Sequence, residues 1–390
     1  MKSIALFSYL SPKLKLLYQG RRDFRFSYLA QADSLKKKIW FHCASYGEFE
    51  GILALIQEYK QRGDYHIICS FFSPSGFEPL HTHRLIDHCI YLPFDTKAKM
   101  IQLIKKLKPD CLIVSQNEYW PNMINQSLAA GLPVYYVGTY VRERHWWLQS
   151  FLRFLTDPLH KVNMIFLQDS YSERLMKEAG FTNIKLAGNP RIDQVIDNKN
   201  EIRKFPLLNK FCENNVTIVC GSTLHSDENI LFQASALLDN FKFIIVPHDP
   251  EDFVIPHAKF NADICFHSAF QDSDREKKIL IYDSIGDLKY LYKFATIAFV
   301  GGGFDKGVHN TLEPAVFNLP IISGPEIKKF NHAINMYKLD VLSTVNSVEE
   351  LVSTIIKNKN GLDQETKKRL SAFLRKHAGA TKQIVSSIQF

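Results

Sequence analysis

The sequence is poor in the residue spacings that hold metals or disulfides. Its 390 residues include seven cysteines with no Cys-x-x-Cys pair and fourteen histidines with no His-Glu-x-x-His motif. These absences argue against a zinc-ribbon or disulfide-stapled domain and predict a reducing compartment and no bound metal. The scattered cysteines are Cys43, Cys69, Cys89, Cys111, Cys212, Cys220 and Cys265.

Long apolar runs are also missing. No stretch approaches the roughly 18 continuous apolar residues that a membrane-spanning helix needs. The apolar segment at residues 4–10 is too short to span a bilayer, and it lacks the small-residue cleavage site of a signal peptide. We therefore expect any association with a membrane to be peripheral.

Positive charge predominates near the start of the chain. The formal net charge is +8, and Lys36, Lys37 and Lys38 form a continuous basic run. The other early basic residues are Lys13, Lys15, Arg21, Arg22 and Arg25. Such a segment is either an ordinary solvated surface or a region attracted to an anionic membrane or a phosphorylated substrate. The sequence leaves both interpretations open.

Short apolar runs of strand type alternate with helical patterns through most of the sequence. This alternation is typical of α/β domains built on parallel sheets. A polar stretch over residues 193–215 interrupts it and predicts a domain boundary. We expect an α/β fold with two doubly wound, Rossmann-like domains, at 1–195 and 212–360, and a cleft between them. Residues 361–390 are expected to continue as a helical tail that packs back toward the first domain.

Two glutamates follow predicted strands in the first half of the chain. Glu48 lies in the turn Ser45-Tyr46-Gly47-Glu48 after a strand at 39–43, and Glu118 follows a strand at 111–115. Because ligands of such sheets bind at the carboxyl ends of strands, Glu48 is a candidate general base. The alternative is structural, since Ser45 with Glu48, and Ser115 with Glu118, also match a capping box at a helix start.

Loops of the second half carry residues suited to a phosphate or a sugar. Ser222 and Thr223 follow a predicted strand, although such residues are also ordinary helix caps. Gly301–Gly303 follow another strand and allow the backbone to approach a ligand closely. Asn310 is expected to open a helix whose positive end faces a phosphate, with Glu313 one turn in and placed for ribose hydroxyls. The capping-box alternative applies to this last pair as well.

Two further loops follow predicted strands in the same half. They are Pro247-His248-Asp249-Pro250 and the segment 283–288, and each on its own is ordinary loop chemistry. Four such loops in one domain nevertheless predict a nucleotide site at the carboxyl edge of its sheet. The glycine cluster is not Gly-x-Gly-x-x-Gly, so a dinucleotide fingerprint is absent.

Taken in order, these motifs resemble those of the Kdo transferases, which use CMP-Kdo, the CMP ester of 3-deoxy-D-manno-octulosonic acid, as sugar donor. The resemblance runs from about Lys13 to the C-terminus, and its specificity lies in the order and spacing of the motifs. They are WFHCASYGE (40–48), QNEYWPNMI (116–124), AGNPRID (187–193), CGSTLHSDE (220–228), IIVPHDPEDF (244–253), YDSIGDLKYLY (282–292), FVGGGF (299–304), GVHNTLEPA (307–315), SGP (323–325) and Lys329-Phe330-Asn331.

The resemblance implies a GT-B glycosyltransferase architecture, with an acceptor-binding first domain and a CMP-sugar-binding second domain. Glu48 and Glu118 are implied as the catalytic residues, with Glu48 as the base and Glu118 on the acceptor side. Ser45 and Gly47 of the same motif are candidates for contact with the acceptor or its phosphates. The implied CMP pocket consists of Ser222, Thr223, Pro247, His248, Ile285, Gly286, Gly302, Asn310 and Glu313.

The chain departs from the family pattern at several points. His248 and Asp249 stand where the family often has arginine and histidine, and Val308 replaces a glycine. The Asn-Ala-Arg stretch expected near 138–145 is absent, although Arg142 and Arg144 remain as candidates for acceptor phosphates. The segment ahead of the motifs is expected to be too short for the anchoring helix that many members carry.

The implied activity is an inverting, metal-independent and cofactor-free transfer of Kdo from CMP-Kdo to lipid IVA, a lipid A precursor, in lipopolysaccharide biosynthesis. The implied place is the cytoplasmic face of the bacterial inner membrane, with contact to anionic lipid and no nucleic-acid partner. Two alternatives stay open. One is another sugar-nucleotide enzyme of this architecture, such as a lipid A disaccharide synthase or a UDP-sugar epimerase. The other is a catalytically silent relative that binds a nucleotide or a lipid.

Overall fold

The chain forms two compact units. The computed structural model describes residues 21, 36–149, 152–256, 263–328 and 330–390. The first unit comprises the residues up to Gln194 together with His377–Phe390, and the second comprises Val195–Lys376. The chain therefore passes from one unit to the other twice.

The first unit contains a parallel sheet with helices in its connections. Its strands are β1 (Lys37–Cys43), β2 (Tyr65–Phe71), β3 (His88–Tyr91), β4 (Cys111–Ser115), β5 (Val134–Thr139), β6 (Met164–Leu167) and β7 (Ile184–Leu186). Its helices are α1 (Tyr46–Gln61), α2 (Pro74–Leu80), α3 (Lys97–Leu107), α4 (Pro121–Ala129), α5 (Arg153–Thr156) and α6 (Ser170–Glu178), followed by α7 (Pro190–Asn200), which crosses into the second unit. Short 3-10 turns cover Trp146–Leu148 and Asp157–Lys161.

The order of strands in the first sheet is β3-β2-β1-β4-β5-β6-β7, and adjacent strands are parallel. The strand order reverses between β1 and β4, so the connections that follow these two neighbours leave in opposite directions. Both faces of the sheet are covered, as parallel sheets require. Trp40 packs into the core on one face, whereas Ile39 and Phe41 pack into the core on the other.

The second unit repeats this architecture. Its strands are β8 (Val216–Thr223), β9 (Phe241–Pro247), β10 (Ile264–Phe266), β11 (Ile279–Ile281), β12 (Ile297–Val300), β13 (Ile321–Ser323) and β14 (Leu342–Thr344). Its helices are α8 (Pro206–Cys212), α9 (His225–Ala236), α10 (Leu288–Leu291), α11 (Leu312–Ala315), α12 (Asn331–Lys338), α13 (Val348–Lys357) and α14 (Gln364–His377), with 3-10 turns at His267–Ala269, Asp272–Glu276 and Tyr292–Phe294.

The second sheet has the order β10-β11-β9-β8-β12-β13-β14, and its strand order reverses between β8 and β12. All its adjacent strands are parallel. The register pairs Gly221 with Val300, and Thr223 with Pro247, at the carboxyl edge. The prediction of an α/β chain with two doubly wound sheets is confirmed. The polar stretch 193–215 contains most of α7 and all of α8, and the change of unit falls inside α7.

The C-terminal segment differs from the single helix predicted for it. After α14 the chain turns at Gly379, whose φ is +87°, and a second helix, α15 (Ala380–Ser387), follows. The carboxylate of Asp193 accepts hydrogen bonds from the amides of Gly379 and Thr381, which satisfies donors at the start of α15. Ile384 is fully buried in the core of the first unit. All of α14 except its last residue, His377, belongs to the second unit, whereas α15 belongs to the first.

Arg21 departs from the expectation for the early basic residues. Only 3% of this residue is exposed. Its guanidinium donates a 2.6 Å hydrogen bond to the carbonyl oxygen of Phe72 and lies 4.4 Å from the centre of that ring. A guanidinium can be buried in this way because it stacks on aromatic faces. Arg21 is therefore part of the packed structure.

No helix among the described residues is long and apolar enough to cross a membrane. Lys36 and Lys37 are exposed, and Lys37 contacts the carbonyl oxygen of Phe390. The apolar segment 4–10 and the basic residues Lys13, Lys15, Arg22 and Arg25 lie outside the described residues.

Candidate functional site

Glu48 lies in the first turn of α1, directly after the central strand β1. Its carboxylate accepts a hydrogen bond from the amide of Ala44. Ser45 is the N-cap residue, but its side chain makes no capping hydrogen bond. Only one half of the predicted capping box is therefore present. The backbone amide fixes the carboxylate at the carboxyl edge of β1.

Glu118 lies in the loop between β4 and α4. Because α4 begins only at Pro121, with Trp120 as N-cap residue, Glu118 is outside the helix and the capping box predicted for Ser115 and Glu118 does not form. The indole Nε1–H of Trp120 instead donates a 2.9 Å hydrogen bond to Glu118 Oε2. The Ser115 hydroxyl donates to the carbonyl oxygen of Glu48, at 3.2 Å, and so links the two loops.

The charge of Glu118 acts on the carboxyl group of Glu48. Burial, followed by the negative charge of Glu118, raises the pKa of Glu48 to about 8. Burial also raises the pKa of Glu118, against the opposite effect of the Trp120 hydrogen bond. A carboxylate at the point where the strand order reverses, with a pKa near the working pH, has the properties of a general base.

Buried groups beneath this pair hold it in place. Trp120 packs on Phe72, with ring centres 4.5 Å apart, and contacts the edge of His42 at 6.2 Å. His42 is fully buried, and its Nδ1 lies 2.9 Å from the hydroxyl of Ser70. Burial lowers the pKa of His42 to about 3, so the ring is neutral and serves as packing rather than as a proton donor.

Arg191, which the sequence interpretation left without a role, also contacts this region. It lies in the first turn of α7, and its guanidinium donates to the carbonyl oxygen of Gly47. Its Nη2 also lies 3.9 Å from Glu50 Oε2. Its positive charge lowers the pKa of Glu48, against the larger effects of burial and of Glu118. The motif that contains Arg191 was visible in the sequence, but its contact with a turn 144 residues away was not.

The two arginines proposed for acceptor phosphates differ in their surroundings. Arg142 donates a 3.1 Å hydrogen bond to Asp169 Oδ2 and another to the carbonyl oxygen of Val141. Its charge is therefore already partnered within the protein, which disfavours it as a phosphate ligand. Arg144 is exposed on the same loop and is the better placed of the two.

In the second unit, Asp227 joins two of the predicted donor loops. This fully buried residue of α9 accepts, through Oδ2, the amide N–H of Leu224 at 2.9 Å and that of Gly302 at 2.8 Å. Burial raises the pKa of Asp227 to about 6, and the two amides act in the opposite direction. Gly301 must be glycine, because a Cβ there would collide with the backbone of Ser222 and Thr223. The loops after β8 and β12 are thus packed against each other at the reversal of strand order.

The hydroxyl residues after β8 occupy different positions. Thr223 is buried, and its hydroxyl donates a 2.9 Å hydrogen bond to Glu228 Oε1, so that donor is already used. Ser222 is partly exposed and has a φ of +53°, which is unusual for a residue other than glycine. Of the two, Ser222 has the side chain more accessible to a ligand.

Pro247 and His248 lie beside these loops. Pro247 ends β9, and the amide of His248 donates to the carbonyl oxygen of Thr223 at 2.9 Å. The exposed His248 ring stacks on His309, with ring centres 4.7 Å apart. Burial, followed by the neighbouring His248, lowers the pKa of His309 to about 4. His309 therefore adds no positive charge at neutral pH.

Asn310 and Glu313 form a small hydrogen-bonded group. The Asn310 side chain donates to Glu313 Oε1 at 3.0 Å and accepts from the amide of Leu312 at 3.1 Å. The expectation of a helix that Asn310 opens toward a phosphate needs correction, because α11 starts at Leu312 and has only four residues. Beyond this helix the chain turns at Asn318, whose φ is +59°, ahead of Pro320. A helix of one turn contributes little dipole, so any anion contact here depends on side chains and individual amides.

Ile285 and Gly286 lie in the loop between β11 and α10. Ile285 is 84% exposed, which is unusual for a large apolar side chain, and Gly286 is exposed too. Asp287, next in the loop, accepts a 2.8 Å hydrogen bond from the hydroxyl of Tyr282. The exposed side chain of Ile285 thus lies on a loop whose end is held by the hydrogen bond between Tyr282 and Asp287.

The second sheet brings the predicted donor residues to one edge. The loops after β8, β9, β11 and β12 follow four adjacent strands of the order β11-β9-β8-β12. Within the described ranges, no group of three or more His, Cys, Asp or Glu side chains is arranged to hold a metal ion. Independence of a metal stays a prediction.

The chain is similar in sequence to 3-deoxy-D-manno-octulosonic acid transferases. Residues 20–194 match the family model described as 3-deoxy-D-manno-octulosonic-acid transferase (kdotransferase). A 3-deoxy-D-manno-octulosonic acid transferase of Haemophilus influenzae is 28% identical over 93% of this chain and 88% of its own length. One from Aquifex aeolicus is 29% identical over 76% of this chain and 78% of its own length.

A solved structure supports the fold. A putative UDP-N-acetylglucosamine 2-epimerase from Listeria monocytogenes has a TM-score of 0.60 and covers 90% of this chain and 95% of its own. Its sequence identity is 11%, so the likeness concerns the fold alone.

Proposed function

We propose that the chain belongs to the Kdo transferase family, to which it is similar in sequence, and that it transfers Kdo from CMP-Kdo to lipid IVA, a lipid A precursor, as an inverting glycosyltransferase of lipopolysaccharide biosynthesis. The observation that supports this most directly is Glu48, a carboxyl group with a pKa of about 8 beside Glu118, where the strand order of the first sheet reverses. An acceptor hydroxyl needs a base of this kind to become a nucleophile.

In the proposed reaction, the Glu48 carboxylate removes the proton of the acceptor hydroxyl. The acceptor oxygen then forms a bond to the anomeric carbon of Kdo while the bond from that carbon to the CMP phosphate oxygen breaks. The leaving CMP keeps the electron pair of the broken bond. Attack on the face opposite to CMP inverts the anomeric configuration. Glu118 lies on the acceptor side, where it keeps the pKa of Glu48 high enough for the proton to be held.

The second unit is proposed to bind the donor. Its loops after β8 and β12 contain small residues, which allow a phosphate group to approach the backbone closely. Ser222 and Gly302 belong to these loops, and Asn310 with Glu313 is proposed to contact the ribose. His248 occupies the position of the missing arginine, and Ile285 is exposed for contact with the cytosine ring.

We propose the cytoplasmic face of the bacterial inner membrane as the place of this reaction, because the acceptor is a lipid. Arg144 and the lysines 36–38 are candidates for contact with acceptor phosphates or anionic lipid. No metal or cofactor is part of the proposal. Backbone amides at the donor loops supply the stabilisation of leaving-group charge that a cation supplies in other enzymes.

The test is transfer of Kdo to lipid IVA, with CMP-Kdo generated during the assay because it is labile. The expected product is heavier than lipid IVA by one or more Kdo masses. A parallel thermal-shift measurement compares CMP with UDP, and stabilisation by CMP alone is expected. Stabilisation by UDP with no Kdo product would support a UDP-sugar enzyme of the same fold. Binding of CMP with no product would support a silent relative.

A further inference from the structure

Arg191 is attached to the turn that carries Glu48. Asn189 Oδ1 accepts the amide of Arg191 at 3.0 Å, which fixes the start of α7. The guanidinium donates to the carbonyl oxygen of Gly47, the residue immediately before Glu48. Its side chain is only 17% exposed, so its charge is poorly screened by water. A fixed positive charge therefore lies against the backbone of the proposed catalytic turn.

We propose that Arg191 is a positioning residue for Glu48: its guanidinium holds the turn through the carbonyl oxygen of Gly47 and places a positive charge at the turn that carries Glu48. The catalytic meaning of this inference rests on the proposed function, whereas its electrostatic part does not. Arg191 does not need to touch a substrate for either effect.

The charged and titratable groups around Glu48 act in opposite directions. Glu118, from the loop after β4, disfavours the carboxylate, and burial does so more strongly. The thiol of Cys43 on β1 also interacts with Glu48, but burial keeps the pKa of that thiol well above its usual range, so it stays neutral. The amides of Ala44 and Ser45 and the charge of Arg191 favour the carboxylate. Glu50 partly offsets Arg191 from 3.9 Å.

Because these effects oppose each other, the charge of Arg191 influences how much of Glu48 is ionised. With a pKa of about 8, Glu48 is already mostly protonated at neutral pH. Any further rise would reduce the amount of active base in proportion, about tenfold for each unit. Arg191 limits that rise, while its hydrogen bond to the carbonyl oxygen of Gly47 holds the turn that carries Glu48.

Two substitutions separate charge from hydrogen bonding. Arg191→Gln keeps a donor for the carbonyl oxygen of Gly47 but removes the charge, whereas Arg191→Lys keeps the charge. Arg62→Gln is a matched control, because Arg62 forms a comparable pair with Glu58 at the other end of α1. If Arg191 acts through its charge, only Arg191→Gln should change the titration of Glu48.

The direct readout is an NMR titration of protein labelled with 13C at glutamate carboxyl carbons, in which the Glu48 signal is identified by its loss in Glu48→Gln. In Arg191→Gln the pKa of Glu48 should rise by about half a unit, and in Arg191→Lys and Arg62→Gln it should stay close to the wild-type value. An unchanged pKa in Arg191→Gln would overturn the inference. This readout needs no substrate, so it stands even if Kdo transfer is not found.

The kinetic readout tests the catalytic part. The rising limb of the kcat–pH profile should move upward by about half a unit in Arg191→Gln, which is about a threefold loss of kcat at pH 7. Arg191→Lys should restore most of it. A loss of kcat that is equal at every pH would assign Arg191 a purely structural role. If wild-type protein transfers no Kdo while Arg191→Gln shifts the NMR titration, the proposed function fails and the electrostatic inference survives.

Discussion

Replacement of Glu118 by glutamine should make Glu48 easier to ionise. The negative charge of Glu118 is the second-largest cause, after burial, of the raised pKa of Glu48. A glutamine side-chain oxygen can still accept the hydrogen bond that Trp120 donates at 2.9 Å. Glu118→Gln therefore removes the charge while it keeps the size of the side chain and its anchoring contact.

The expected change in the ionised fraction of Glu48 follows from its pKa. At a pKa of about 8, about one molecule in eleven carries an ionised Glu48 at pH 7. Removal of a nearby like charge lowers a carboxyl pKa by on the order of one unit. The ionised fraction at pH 7 would then rise to about one half, an increase of about fivefold.

The assay is the pH dependence of kcat for Kdo transfer, measured at saturating donor and acceptor between about pH 5.5 and 9. In the wild type, kcat should rise about tenfold per pH unit and level off near pH 8. In Glu118→Gln this rising limb should lie at lower pH, whatever happens to the KM for the acceptor. A limb that stays in place or moves to higher pH would refute the electrostatic coupling. Glu58→Gln, on the same helix as Glu48, is the control.

Three further predictions concern stability and donor binding. The pKa of Glu48 is raised from 4.5 in the unfolded chain to about 8 in the folded protein, so the folded protein loses stability as the pH rises through this range and Glu48 ionises. Glu48→Gln should therefore raise the Tm by roughly 4 °C above pH 8 and hardly at all near pH 4.5. An equal rise in Tm at both pH values would contradict this. Asp227→Ala removes the acceptor of two loop amides and should weaken CMP binding, measured by calorimetry, about tenfold. Asp227→Asn should weaken it less, and equal CMP affinities of the two variants would contradict a role for these hydrogen bonds. Deletion of residues 380–390 removes Ile384, Val385 and Ile388 from the first core, at roughly 2 kcal/mol each, and should make the first unit sensitive to proteolysis; wild-type resistance would contradict it.

The elements and the carboxyl pair were largely predictable from the sequence. Apolar runs of strand type lie where β1 and β4 form, and Glu48 and Glu118 follow them directly. The sequence alone did not show that β1 and β4 are adjacent in the sheet, because strand order depends on crossover connections and on packing between residues far apart in the chain. That relation brings the two carboxyl groups into electrostatic contact.

Other features required the folded chain. Arg21 belongs to a basic segment in the sequence, yet its contact with Phe72 is made across 51 residues and buries it. Asp227 matches an ordinary first-turn helix carboxylate, and only the packing of α9 reveals its bond to Gly302, 75 residues away. The helix expected to open at Asn310 begins only at Leu312 and is four residues long, which the residue pattern did not indicate.

Single-turnover Kdo transfer by three proteins tests the central claim most directly. Wild type, Glu48→Gln and the control Glu58→Gln would be mixed with CMP-Kdo and lipid IVA, and the Kdo-bearing product would be followed by mass. Loss of a general base predicts a rate lower by roughly a thousandfold in Glu48→Gln, with Glu58→Gln close to wild type. Transfer by Glu48→Gln at the wild-type rate would contradict the assignment of Glu48 as the base and, with it, the proposed mechanism.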